Sequence, residues 1–142
     1  MPFQWLEMRI GEERERRQRE AEILDRLPQG LTELHRILSD CLASYTEAFG
    51  PESAEIHYSH GRIRITVRDQ QGGKWEQRTR VDITGVFEPP GFKIDRGSDT
   101  HLVEVGPLPG EGLFYRLGED YLTTEDLTRR ILDPALFPKL AG

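Results

Sequence analysis

Cysteine is nearly missing from this chain: Cys41 is the only one in 142 residues. A lone thiol cannot close an internal disulfide, so the fold must rest on its core, and a reducing compartment is implied. Long apolar runs are missing too. None approaches the roughly 20 residues that cross a bilayer. The first eight residues (MPFQWLEM) carry no basic flank and are interrupted by Glu7, unlike a signal peptide. The expectations are a cytoplasmic location and no membrane partner. Lysine is scarce, 3 against 16 arginines. That bias carries little weight, because codon usage produces it as readily as a need for bidentate recognition.

Recognisable chemistry is the third absence. There is no Gly-x-x-x-x-Gly-Lys-Ser/Thr, no Gly-x-Gly-x-x-Gly after a strand, no Gly-x-Ser-x-Gly and no His-Glu-x-x-His. The four histidines do not assemble into a site: His57 and His60 have no paired cysteine or acid at metal-ligand spacing, and His35 reads as a boundary residue of the helix. Gly106, Gly110 and Gly112 are interrupted by prolines and lead into a strand, so they read as a loop and not a phosphate cradle. No cofactor, metal or catalytic residue is expected. The balance tilts away from an enzyme.

What remains is an ordinary domain's worth of patterned sequence. The length suits one domain spanning residues 1–142, long enough to bury roughly two thirds of its unfolded surface. The chain is 36% apolar and 31% charged, with both signs interspersed and clear periodicity, which argues for a folded chain. Its net charge of −6 is unevenly spread: residues 1–50 and 85–142 are acidic, while 51–84 carry a slight basic excess. Gross attraction to a polyanion is excluded, and only the middle segment is suited to one.

From Glu12 to Glu22 the sequence is almost wholly charged (EERERRQREAE). Glu12, Glu13, Glu15 and Glu22 each precede an arginine by four residues, an order that supports a helix by a few tenths of a kcal/mol per pair. With no apolar face, that stretch reads as a solvated helix or, over residues 1–22, as a projecting helical arm. The pattern changes at Ile23: Leu24, Leu27, Leu31, Leu34, Leu38, Cys41, Tyr45 and Ala48 recur at steps of three and four, with Ile37, Leu42 and Phe49 widening the stripe. It predicts an amphipathic helix of about five turns from residue 31. Pro28 and Gly30 mark a break before it, Thr32 is a candidate N-cap, and Gly50-Pro51 ends it. The stripe places Cys41 on the apolar face as a buried structural thiol. Its width suits packing on a sheet; a helix-mediated dimer is the second use.

After Pro51 the period changes from 3.6 to 2. Ile56–Ser59, Arg62–Arg68 and Lys74–Thr84 form a meander, with His60-Gly61 as a two-residue turn and Asp69–Gly73 as a five-residue loop. Shorter strands are expected at Phe92–Ile94, His101–Val105 and Leu113–Leu117. Thr123 and Asp126 have capping-box spacing and open a helix through Leu132, stopped by Asp133-Pro134. Leu136, Phe137 and Leu140 dock the tail on the core. The class is α+β: an N-terminal helical segment packed on a mainly antiparallel sheet of five or six strands, with a short C-terminal helix.

Those turns set a register. The five-residue loop pairs Arg68 with Lys74, Arg64 with Arg78 and Arg62 with Arg80. One sheet face then carries His57, Arg62, Arg64, Arg68, Lys74, Arg78 and Arg80, with Glu55 and Glu76 the only acids beside them. Like charges level across strands destabilise a sheet, so this patch suggests an anionic cover. A solvated face without a partner is the competing reading. No aromatic residue interleaves with the arginines, which argues against nucleic acid. The expected function is a non-enzymatic binding or protein-interaction module, its partner an acidic protein surface or a second copy. The alternative is a small-ligand protein or enzyme with a pocket between sheet and helices, marked by Tyr58, Gln77 and Thr79.

Overall fold

The computed structural model describes residues 3–140 and opens with one helix, α1 (Gln4–Phe49), 46 residues long. Pro28 and Gly30 do not break it. Proline inside a helix removes one hydrogen bond and costs about 3 kcal/mol. Six side chains on one stripe (Ile23, Leu27, Leu31, Leu34, Leu38 and Leu42) are buried across that position. Burial of each is worth about 1.5–3 kcal/mol, so packing outweighs the local defect. Thr32 is no cap: its hydroxyl donates to the Pro28 carbonyl at 3.0 Å, inside the helix. Gly30 serves contact, since a Cβ there would lie 2.9 Å from Leu113 Cδ1. The helix ends as expected, with Gly50 at φ 109° donating its N–H to the Thr46 carbonyl.

Seven antiparallel strands follow in simple sequential order: β1 (Ala54–Ser59), β2 (Arg62–Gln71), β3 (Lys74–Phe87), β4 (Pro90–Asp95), β5 (Thr100–Pro107), β6 (Leu113–Leu117) and β7 (Asp120–Leu122). The count exceeds the expected five or six because the three-residue β7 is too short to show a period. Helix α2 (Thr124–Leu136) completes the chain. Its capping box is present: the Thr123 hydroxyl accepts from the Asp126 N–H, and the Asp126 carboxylate accepts from the Thr123 N–H.

Alternation decides the layers. Ile63, Ile65, Val67, Val81, Ile83, Phe92, Ile94 and Val103 form one sheet face and are almost fully buried against the leucines of α1 and the apolar side of α2. The other face of the sheet carries the polar residues. Pro134 does not stop α2, which runs on to Leu136. Proline leaves the carbonyl four residues back without its donor, and Arg96 supplies one: its guanidinium donates to the Arg130 carbonyl at 2.5 Å and to the Ile131 carbonyl at 3.3 Å. Leu136 is buried, whereas Phe137 and Leu140 are exposed, so the tail docks less than expected.

Candidate functional site

Hairpin register places the arginines. The β1–β2 hairpin turns at His60-Gly61, both at positive φ, and pairs Ser59 with Arg62 and His57 with Arg64 as the turn signal implies. The β2–β3 hairpin differs. Its turn is Gly72-Gly73, also both at positive φ, which suits the tight turn whose twist matches antiparallel strands. Asp69, Gln70 and Gln71 therefore join the ladder opposite Glu76, Trp75 and Lys74, and a bulge between Val67 and Arg68 absorbs one extra residue of β3.

Two corrections follow. Beyond the bulge the pairing is Arg62 with Thr84, Arg64 with Asp82 and Thr66 with Arg80, so none of the three expected like-charge pairs exists. Nearer the turn the alternation of β3 is inverted. Lys74 falls on the parity of the apolar face, and Arg78 is the residue at the bulge. Arg78 reaches the helices' side of the sheet, donating to Asp69 at 2.6 Å and to the Ala135 and Leu136 carbonyls at 2.7 and 3.1 Å. It caps the C-terminus of α2, where a cation also meets the negative end of the helix dipole.

His57, Arg62, Arg64, Arg68 and Arg80 do share the polar face, but the chain's own acids meet most of them. Arg64 and Arg80 approach Asp82 at 2.9 and 3.3 Å, and Arg68 binds Glu55 at 2.6 Å. The hydrogen bond from Arg68 holds the Glu55 carboxyl below its ordinary range. Arg62 makes no such pair. Further along the same face Arg116 pairs with Glu104. The patch is a set of compensated pairs with a small cationic surplus.

Gln77 and Thr79 line a polar notch of about 400 Å³ with Arg78, Arg80 and Arg96. Tyr58 is not part of it and instead meets His35 edge-on, with ring centroids 5.1 Å apart. Side chains fill the centre of the interface between sheet and helices, and clefts open at its margins. One, of about 580 Å³, lies between α1 (Arg16, Arg19, Glu20, Ile23) and the rim formed by Phe87, Pro89 and Phe114. Another, about 390 Å³, is an apolar groove between α1 and α2, and Cys41 stands on its wall as an exposed residue. Cys41 is therefore not the buried thiol expected. Local burial and the nearby Asp40 push the thiol above its ordinary pKa, which disfavours the nucleophilic thiolate.

Sequence reasoning passed over the apolar tip of the arm. Phe3, Trp5, Leu6, Met8 and Ile10 are all exposed, Trp5 by 66% and Met8 by 64%. Their signal was legible, since apolar residues clustered ahead of a charged run have nothing nearby to cover them. The charged part of the arm is laced along its own length: Arg16 bridges Glu13 at 2.7 Å and Glu20 at 2.5 Å, and Arg17 meets Glu13 at 3.0 Å. Glu13, holding two arginines, is lowered to a pKa of about 2. Among the described residues no group of three His, Cys, Asp or Glu side chains is placed to hold a metal ion, and no helix is long and apolar enough to cross a membrane. No family model, curated protein or solved structure matches this chain.

Proposed function

We propose that this chain is a non-enzymatic protein-interaction module that engages its partner first through the arm of α1. One observation carries the reading: the first two turns of α1 hold Trp5, Leu6, Met8 and Ile10 exposed, away from the core the rest of the helix builds. Large apolar side chains grouped on a projecting element mark interaction sites in water-soluble folds. They contribute nothing to the core, which closes over Ile23 to Leu42 without them.

The polar sheet face is the second contact area, with Arg62, Arg64, Arg68, Arg80 and His57 offered to an acidic protein surface. Its compensated pairs make that contact weaker and less salt-dependent than seven free cations would be. A small ligand in the cleft beside Phe87 and Phe114 is the competing reading, favoured by the apolar rim beneath Arg16 and Arg19.

The test is a full-length variant carrying Trp5→Gln, Leu6→Gln, Met8→Gln and Ile10→Gln. In dilute solution its melting temperature and far-UV circular dichroism are expected to match the parent chain. A marked fall in melting temperature would show that the tip serves the fold, and the reading would be wrong. A metabolite screen that raises the melting temperature of parent and variant alike would favour the ligand cleft.

A further inference from the structure

We infer that the partner of the arm is the arm of a second copy, laid antiparallel about a two-fold axis passing between Arg14 and Glu15. The inference rests on the reading of α1 as a contact element and adds its occupant.

The arm is a charge palindrome. With the axis between residues 14 and 15, residue i lies level with the partner's residue 29 − i. Arg9 then faces the partner's Glu20 and Glu13 the partner's Arg16, while Glu12 with Arg17 and Arg14 with Glu15 come level on the flanks and far sides of the helices. By symmetry each pairing occurs twice. Only Glu7 and Glu22 meet with like charge. Sliding the arms by one residue destroys the match: one way sets Arg9 level with Arg19 and Glu13 with Glu15, the other sets Arg14 level with Arg16. Register selection by complementary charge is how paired helices choose partner and orientation.

The same alignment gives the apolar tip a destination. Trp5, Leu6 and Met8 come level with the partner's Leu24, Ile23 and Ala21. That is where the cleft opens beside α1, lined by Ile23, Phe87, Pro89 and Phe114. An exposed apolar tip and an open apolar cleft on one chain thus meet across the axis, an isologous contact that closes on itself. Helical geometry agrees. Trp5, Arg9, Glu13, Arg16, Glu20 and Ile23 follow one another at steps of four and three, so they occupy one side of the helix. Arg16, Glu20 and Ile23 of that set already border the cleft.

The ion pairs within each arm do not oppose this. They are exposed, with Arg16 at 55% and Arg17 at 75% side-chain exposure. Exposed pairs of this kind add little to stability and exchange readily for pairs across an interface.

The experiment uses the full chain and two charge variants. One carries Glu13→Arg and Glu20→Arg, giving an arm face with cations at 9, 13, 16 and 20. The other carries Arg9→Glu and Arg16→Glu, giving acids at the same positions. Sedimentation equilibrium is expected to show the parent as a dimer, each variant alone as a monomer, and an equimolar mixture as a heterodimer. Spin labels on paired chains, moved outward from the axis one residue at a time, should separate by about 3 Å per step, twice the helical rise. A parent that stays monomeric at every concentration overturns the dimer, and so does a mixture that fails to associate. Label separations independent of position would mean parallel arms and overturn the geometry. A monomer whose tip inserts into phospholipid vesicles also overturns it. A monomeric parent whose glutamine variant still melts normally would sink this inference and leave the arm a contact element for another protein.

Discussion

Arg96 and Pro134 lie 38 positions apart, yet the fold ties them to one carbonyl. Pro134 cannot donate to the Arg130 carbonyl, and its ring pushes that group outward. Arg96 takes the vacated place at 2.5 Å. A hydrogen bond from a charged donor is worth about 1.5–3 kcal/mol, and Arg96 is only half-buried, so Arg96→Met should cost about 1.5 kcal/mol. Pro134→Ala alone restores a backbone donor and should be neutral or stabilising by about 1 kcal/mol. In the Pro134→Ala background the carbonyl no longer needs Arg96. There Arg96→Met should cost only about 0.5 kcal/mol, leaving a coupling of about 1 kcal/mol between the two sites. The second bond, to the Ile131 carbonyl at 3.3 Å, is lost in both backgrounds and cancels from the cycle. Urea denaturation of the four proteins, with a common slope, measures each term. Equal cost of Arg96→Met in both backgrounds, within about 0.3 kcal/mol, would refute the idea that the arginine compensates the proline.

Three further outcomes follow from the same contacts. Arg78→Met removes three hydrogen bonds from a largely buried guanidinium and should lower stability by about 2 kcal/mol, whereas Arg64→Thr, at a half-exposed pair, should cost under about 1 kcal/mol. A melting temperature that rises in either variant would mean unrelieved repulsion on the sheet. Gly106→Ala should be disruptive because its Cβ would sit 2.2 Å from the Phe114 ring, and Phe114→Leu in the same chain should recover most of the loss; failure to recover would place the strain in the backbone. In the arm, Glu13 titrates near 2 against a free value of 4.5, because Arg16 and Arg17 hydrogen-bond its carboxylate. A depressed carboxyl pKa stabilises above the free value and is lost as pH falls through the folded one. The NMR carboxyl carbon shift of Glu13 should thus keep its ionised value from neutral pH to about 4.5 and titrate toward about 2. A midpoint at 4.5 or above would contradict it.

The elements that follow a strong period were legible in the sequence. The leucines of the stripe, the order of the meander's strands, the His60-Gly61 hairpin and the Thr123–Asp126 cap stand where pattern and local chemistry put them. The misreadings share a cause: a local signal overruled by a contact from far along the chain. Pro28 and Pro134 are breakers on any local rule, but six buried leucine-type side chains bridge the first and Arg96 compensates the second. The Lys74–Thr84 stretch alternates so regularly that nothing in it announces a bulge. Asp69–Gly73 reads as a five-residue loop in sequence, but the tight Gly72-Gly73 turn wins because it lets Asp69, Gln70 and Gln71 pair in the ladder. A register error of this kind moves side chains between faces, and it is why Arg78 was assigned to a patch it does not join.

Counting cations on a sheet face therefore overstates what that face can bind. Of this chain's arginines, Arg26, Arg78 and Arg96 are spent on backbone carbonyls of other segments, at Leu108 and Gly112, at the end of α2, and behind Pro134. Arg64, Arg68, Arg80 and Arg116 are met by acids on adjacent positions of the same face. Releasing any of these to a partner would first require breaking a contact that stabilises the fold. The arm differs in this respect. Its pairs join residues three and four apart on one exposed helix, so exchanging them for a partner's charges leaves the sheet and core untouched. Its apolar tip is exposed and has no packing partner among the described residues, and the cleft at its base has the size and lining to receive one. On the proposed reading, binding falls where the free chain has least to lose, at the N-terminal end of α1.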